Sequence, residues 1–243
     1  MEKDLGVIIA AAGQSSRFGQ SHPKKPFLDL RGRPVWQMSA ELFRARADVG
    51  PIVLVVSPDD REMVEEKFRA NLLFCNVTLV EGGRERSDSV ARGLESLGGD
   101  VRWVAVHDAA RPCVMAEEID QCVRAARDVG AAILATPVSS TVKQVNADRQ
   151  VERTIDRRPL WLAQTPQVAR IDWLGQALAA SSAGSASRPA PTDEAEALER
   201  IGKPVAIVEG RPTNIKLTTA TDLMLVKAIL ADRPRAGLDT LFD

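Results

Sequence analysis

Short apolar runs alternate with stretches of helical period along most of the chain. The runs fall at residues 7–11, 52–57, 77–81, 103–107, 132–136 and 205–209. They are nearly continuous rather than alternating in polarity, as strands buried on both faces are. Segments 35–46, 60–69, 87–97, 116–128, 171–181, 193–202 and 220–231 space their apolar residues for a helix. The last opens with Thr219 three residues before Asp222, a capping-box pattern. This alternation predicts an α/β fold, Rossmann-like, with a mostly parallel sheet and helices on both faces. Its crossovers are expected to be right-handed and its ligands to sit beyond the carboxyl ends of the strands.

One segment breaks the alternation. Residues 141–145 and 151–155 are β-type stretches around Asn146-Ala147-Asp148-Arg149-Gln150, which predicts an inserted β-hairpin arm at about 139–158. A lone hairpin is marginal, so it is expected to pack on its own domain or on a partner subunit. The Ser-, Ala- and Pro-rich stretch 181–191 predicts a surface loop, and the polar tail 233–243 a poorly ordered end. The remainder, 1–232, reads as one domain.

Composition narrows the partners. Of 243 residues, 44% are hydrophobic and 27% charged, ordinary for a globular protein, and the net charge of −1 argues against a general nucleic-acid binder. Cations must then be concentrated locally if the ligand is an anion. Three cysteines without a C-x-x-C suit reduced thiols, and two histidines make a His/Cys zinc site improbable. No apolar run approaches the ~18 residues that span a bilayer, and no signal-peptide core follows Met1. These features predict a cytoplasmic protein that does not use a membrane.

The candidate chemistry sits at predicted strand ends. After residues 7–11 the chain breaks into Ala11-Ala12-Gly13-Gln14-Ser15-Ser16-Arg17, then His22-Pro23-Lys24-Lys25-Pro26. Small residues let backbone N–H groups approach a phosphate, and the cations complete a triphosphate site. There is neither G-x-x-x-x-G-K-[ST] nor G-x-G-x-x-G, which disfavours a P-loop NTPase and a dinucleotide-binding dehydrogenase. Asp108, ending the run before Ala109-Ala110-Arg111-Pro112, suits a Mg²⁺ ligand, a turn residue or a helix cap. His107 reads as a satisfied structural histidine, and Arg111 as a local structural or phosphate-facing cation. Gly82-Gly83 before Ser87-Asp88-Ser89 suits a flat base or a helix capped by Ser87 or Asp88. Lys216 follows the strand at 205–209, where a lysine near a phosphoryl group offsets transition-state charge.

Taken together, Ala11-Ala12-Gly13…Arg17, Lys25-Pro26-Phe27-Leu28, Gly82-Gly83…Ser89, His107-Asp108-Ala109-Ala110-Arg111-Pro112, Thr141-Val142-Lys143, Asp156-Arg157, Gln164-Thr165-Pro166-Gln167, Thr192-Asp193-Glu194-Ala195 and Asn214-Ile215-Lys216 agree in order and spacing with one family. From about residue 5 to 230 the chain resembles the 2-C-methyl-D-erythritol 4-phosphate cytidylyltransferases. The resemblance implies that CTP and a polyol phosphate condense with Mg²⁺ to a CDP-alcohol and pyrophosphate, in non-mevalonate isoprenoid precursor synthesis. It implies Arg17 on the triphosphate, Lys216 on the α-phosphate and Asp108 near the metal. Ala11, Ala12, Gly13, Gly82, Ser89 and Ala109 match contacts to cytidine. Thr141, Arg157, Thr165, Thr192 and Arg111 match the acceptor side, with the hairpin reaching into the neighbouring subunit of a homodimer. The family's P-K-Q-[FY]-L is one residue longer here, so Lys24 and Lys25 compete for the catalytic lysine. Lys25 is preferred, because Phe27-Leu28 reads as the start of a strand that tolerates no insertion. A ribitol 5-phosphate cytidylyltransferase shares most of these blocks, and a non-catalytic nucleotide-binding regulator remains a third reading.

Overall fold

The computed structural model describes residues 2–13, 24–183 and 189–233. Arg17 therefore lies outside the described residues, as do 184–188 of the 181–191 loop and all but the first residue of the tail. The first half of the chain contains β1 (Leu5–Ala10), the short pair β2 (Asp29–Leu30) and β3 (Arg33–Pro34), α1 (Val35–Arg44), β4 (Val49–Val56), α2 (Arg61–Lys67), α3 (Arg69–Cys75), β5 (Val77–Glu81), α4 (Arg86–Glu95) and β6 (Trp103–Asp108). The second half contains α5 (Ala116–Val129), β7 (Ala131–Pro137), β8 (Val142–Val145), β9 (Val151–Ile155), β10 (Trp161–Arg170), α6 (Ile171–Ala183), α7 (Glu194–Arg200), β11 (Ala206–Glu209) and α8 (Ala220–Asp232).

Seven strands form one sheet in the order β11-β7-β10-β6-β1-β4-β5. Every neighbouring pair is parallel except those of β10, which runs antiparallel to β6 and β7. All six strands expected from apolar runs are present. β10 is an addition, and so is α3, where the 60–69 helix was expected to end the segment. The 3-10 turn Lys25–Phe27 stands where a strand was expected to begin, and pairing starts only at Asp29.

Strand side chains alternate between two cores. Val7 and Ile9 of β1 face a layer containing Trp36, Phe43 and Ile119, whereas Ile8 faces Val90, Leu174 and Leu198. A third cluster joins Leu28 and Leu30 to Leu217, Val226 and Leu230 beneath α8. The capping box of α8 forms as expected, with Thr219 accepting from the Asp222 N–H and Asp222 from the Thr219 N–H.

β8 and β9 pair antiparallel as a separate two-stranded sheet. Val145 is 50% and Val151 62% exposed, and Leu162 at the root of this arm is 59% exposed. The hairpin thus leaves apolar surface exposed.

Candidate functional site

β1 and β6 are adjacent and in register, so Ala10 lies beside Asp108 at the shared carboxyl edge. The Ala109 N–H donates to the Ala10 carbonyl and the Ala11 N–H to the Val55 carbonyl, extending the sheet into the loops. Beyond this edge opens a cleft of about 520 Å³. Ala10 to Gly13 form one wall, Lys25 and Pro26 another, Gly83 to Arg86 with Ser89 a third, and Asp108, Ala110 and Lys216 to Thr218 the floor.

Asp108 organises the floor. Its side chain is 9% exposed, and Lys216 Nζ lies 2.8 Å from one of its oxygens. Arg111 Nε is 3.4 Å away and an Arg86 terminal nitrogen 3.5 Å. Burial alone would raise the Asp108 pKa, but Lys216, Arg86 and Arg111 outweigh it and hold the carboxyl well below the usual carboxylate range. The group is ionised at any ordinary pH.

Arg86 was not singled out in the sequence. It begins α4, where a cation opposes the helix dipole, so its place there is set by the carboxylates it meets rather than by the helix. Its other terminal nitrogen pairs closely with Glu194, which is 3% exposed. Burial raises the Glu194 pKa against the pull of Arg86. Arg86 therefore spans two carboxylates from distant segments and still lines the cleft. The cap of α4 is Glu85, not Ser87 or Asp88, because the helix begins one residue earlier than expected; Asp88 accepts from the Glu85 N–H instead.

Behind the floor, Thr165 Oγ1 accepts from the Asp108 N–H at 3.0 Å and lies 3.1 Å from His107 Nδ1. His107 Nε2 is 3.2 Å from the Arg111 carbonyl. One assignment satisfies every group: Nε2–H donates to Arg111, and the Thr165 hydroxyl donates to Nδ1. Burial pushes His107 down to about 4, so it stays neutral. His107 is structural, as expected. Thr165, expected on the acceptor side, is buried with its hydroxyl committed to this chain. Asn214 ties the other flank: its amide donates to the Thr165 carbonyl and its carbonyl accepts from Arg111, two residues before Lys216.

The two glycines at the end of β5 are required by close approach. A Cβ on Gly82 would lie 2.6 Å from Ser89 Oγ, and one on Gly83 2.3 Å from the Asp88 Cβ. Ser89 Oγ accepts from the Gly83 N–H and donates to the Glu85 carbonyl, which shapes the wall without presenting a charge.

Of the residues expected at the site, Ala11, Ala12, Gly13, Lys25, Ser89, Asp108 and Lys216 line one cleft. Gly82, Ala109 and Arg111 stand directly behind it. Lys24 points elsewhere, with Nζ 2.7 Å from Asp60. Thr192 is exposed, its hydroxyl donating to Glu196. Thr141 and Arg157 lie on the exposed hairpin arm, Arg157 donating to the Ser139 carbonyl, and neither lines this cleft.

Cations gathered around an ionised carboxylate, beside an open backbone loop at the carboxyl edge of a parallel sheet, suit a polyphosphate. Fold and cleft together place the chain among the nucleotidyltransferases. Residues 5–232 match the family model for 2-C-methyl-D-erythritol 4-phosphate cytidylyltransferase (IspD), and the chain belongs to that family. It is 41% identical over 228 residues to the 2-C-methyl-D-erythritol 4-phosphate cytidylyltransferase of Geobacillus kaustophilus, covering 93% of this chain and 97% of that one. It is 39% identical over 237 residues to that of Rhodopirellula baltica, covering 93% and 94%. Among solved structures, the 4-diphosphocytidyl-2C-methyl-D-erythritol synthase of Anaerococcus prevotii superposes with a TM-score of 0.79 at 27% identity, covering 93% of this chain and 96% of the other.

Proposed function

We propose that this chain transfers the cytidylyl group of CTP to the phosphate of 2-C-methyl-D-erythritol 4-phosphate. A phosphate oxygen of the acceptor attacks the α-phosphorus in line. The bond to the bridging oxygen of the β-phosphate breaks, and pyrophosphate leaves with that electron pair. The acceptor phosphate is already an anion near neutral pH, so no protein base is needed, and catalysis is positioning plus charge stabilisation.

The observation that carries this reading is Lys216 Nζ held 2.8 Å from Asp108 in the cleft that Lys25 also lines. Lys216 takes the charge that develops on the α-phosphoryl oxygens, while Lys25 and Arg17 hold the triphosphate. Asp108 keeps Lys216, Arg86 and Arg111 aimed at one point. Gly82, Ser89 and the Ala109 backbone shape a wall for the cytidine, and Gly13 leaves room for the phosphates. Among the described residues no cluster of three or more His, Cys, Asp and Glu is placed to hold a metal. The donor set suits Mg²⁺ held by Asp108 and phosphate oxygens, since this ion keeps few protein ligands. When bound, Mg²⁺ neutralises triphosphate charge.

Thr141 and Arg157 serve the cleft of a second subunit in this reading. Their distance from their own cleft and the uncovered Val145 and Val151 support a homodimer joined through the arm. Three buried cysteines without disulfides fit a reducing cytoplasm. Among the described residues no helix is long and apolar enough to cross a membrane.

The test is Mg²⁺-dependent pyrophosphate release with CTP, UTP, ATP and GTP, each against methylerythritol phosphate and ribitol 5-phosphate. Release with CTP and methylerythritol phosphate alone supports the proposal. Release with ribitol 5-phosphate instead overturns the acceptor, and silence with every pair revives a non-catalytic binder.

A further inference from the structure

Two adjacent lysines stand at the start of the Lys25–Phe27 turn, and only Lys25 lines the cleft. Lys24 Nζ lies 2.7 Å from Asp60 Oδ2 and 3.2 Å from Ser57 Oγ. The Ser57 hydroxyl itself donates to Asp60 at 2.6 Å. Ser57 and Asp60 belong to the turn that ends β4, the strand next to β1, so their position is fixed by the sheet. Asp60 is 7% exposed and well placed to hold a cation.

Lys24 is also the residue from which the Lys25–Phe27 turn starts, its carbonyl accepting from the Phe27 N–H at 2.9 Å. That turn has no side-chain cap. It is pinned from two sides. On one, the Lys24 ammonium is tied to Asp60. On the other, Phe27 is 3% exposed and stacks on Phe68 with ring centroids 5.9 Å apart. Pro26 restricts the backbone between the pins. Lys25 lies between the two pins and lines the cleft.

We infer that Lys24 is a positioning residue: its ion pair with Asp60 aims Lys25 at the triphosphate, and Lys24 itself does not contact the nucleotide. This rests on the proposed role of Lys25. A lysine chain is flexible, and a phosphate contact placed about 1 Å wrong loses up to 10²-fold in rate, so an anchor one residue away has measurable leverage. The alternative is a Lys24 that leaves Asp60 and joins the triphosphate directly. The two make opposite predictions for Asp60. An anchor is lost when Asp60 loses its charge, whereas a competing phosphate ligand is released.

The experiment measures kcat and KM for both substrates in Lys24→Met, Lys24→Arg, Asp60→Asn, Lys25→Met and the Lys24→Met/Lys25→Met double variant, with thermal melts as a folding control. Expected are losses of roughly tenfold or more in kcat/KM for CTP in both Lys24→Met and Asp60→Asn, with the KM for the acceptor little changed. Lys24→Met also lowers the melting temperature, because it leaves the buried Asp60 without its cation, but both variants still melt as folded proteins. Lys24→Arg, which restores the pair, regains most of the loss. In the Lys25→Met background, removing Lys24 changes the rate by less than about twofold, because it acts only through Lys25. Undiminished activity in Asp60→Asn, or a Lys24 effect that persists in full without Lys25, overturns the inference while leaving the role of Lys25 intact. Undiminished turnover in Lys25→Met overturns both.

Discussion

Lys216 Nζ and the Asp108 carboxylate stand 2.8 Å apart at the floor of the cleft, with the Lys216 side chain 44% exposed and that of Asp108 9%. The lysine is thus held by an anion that two guanidinium groups also share. In the proposed reaction a triphosphate arriving from the open side would meet a cation already oriented, with little rearrangement left at the moment of reaction. Lys216→Ala is expected to lower kcat by about 10²–10³-fold, the cost of deleting one transition-state donor. Because the side chain is half exposed, the melting temperature changes little. Turnover within a few-fold of the parent would remove Lys216 from the mechanism.

Arg86 and Glu194 make a second prediction. Glu194 Oε2 has no hydrogen-bond partner, so Arg86 is the main compensation for a buried carboxylate. Removing one partner of such a pair leaves an uncompensated charge and costs about 3–5 kcal/mol when fully buried. Arg86 is 28% exposed, so Arg86→Met is expected to destabilise by less, about 1–3 kcal/mol, in urea unfolding at pH 7. An unchanged midpoint would mean that Glu194 finds other compensation.

The pH dependence follows from His107. Burial depresses its folded pKa to about 4, against about 6.5 in an unfolded chain. Between these values the unfolded state binds more protons. Stability is fully present above about pH 6.5 and falls as the pH drops toward 4, by roughly 3 kcal/mol in total from this residue. Asp108, held well below the usual carboxylate range, adds a further loss that begins as the pH falls through the ordinary aspartate pKa of about 4 and continues below it. Urea midpoints from pH 7 to 4 are expected to fall more steeply for the parent than for His107→Asn. Parallel curves would contradict the burial of a neutral histidine.

The shared-site reading predicts complementation. Arg157→Ala is expected to raise the KM for the sugar phosphate and leave CTP binding unchanged. Mixing it with the inactive Lys216→Ala chain under subunit exchange gives heterodimers in which one of two clefts is intact, and about a quarter of parental activity returns. No recovery, despite demonstrated exchange, would place Arg157 and Lys216 in the same subunit's cleft.

Much of this molecule was legible in its sequence. Continuous apolar runs betray strands buried on both faces, and Thr219 with Asp222 announces the start of α8. β10 was not legible, because Pro166 interrupts it and a register shift between Ala163 and Gln167 breaks its periodicity. α3 was missed because the expected helix stopped at residue 69, whereas the chain breaks at Phe68 and begins a second helix that runs to Cys75. At the site, small residues and carboxylates at strand ends gave away the walls and Asp108. The pairing of Arg86 with Glu194 has no local signature, since the two lie 108 positions apart and meet only through the sheet. The pairing of Lys24 with Asp60, while Lys25 lines the cleft, was likewise beyond a count of residues, because Asp60 lies just past the end of another strand.

The most direct test of the central claim follows phosphorus rather than rate. CTP, methylerythritol phosphate and Mg²⁺ are incubated with the protein and read by ³¹P NMR. Cytidylyl transfer predicts that the acceptor monoester signal and the three CTP signals give way to a coupled diphosphate pair plus pyrophosphate, in equal amounts. Pyrophosphate with the acceptor signal undiminished would mean transfer to water, and would contradict the account.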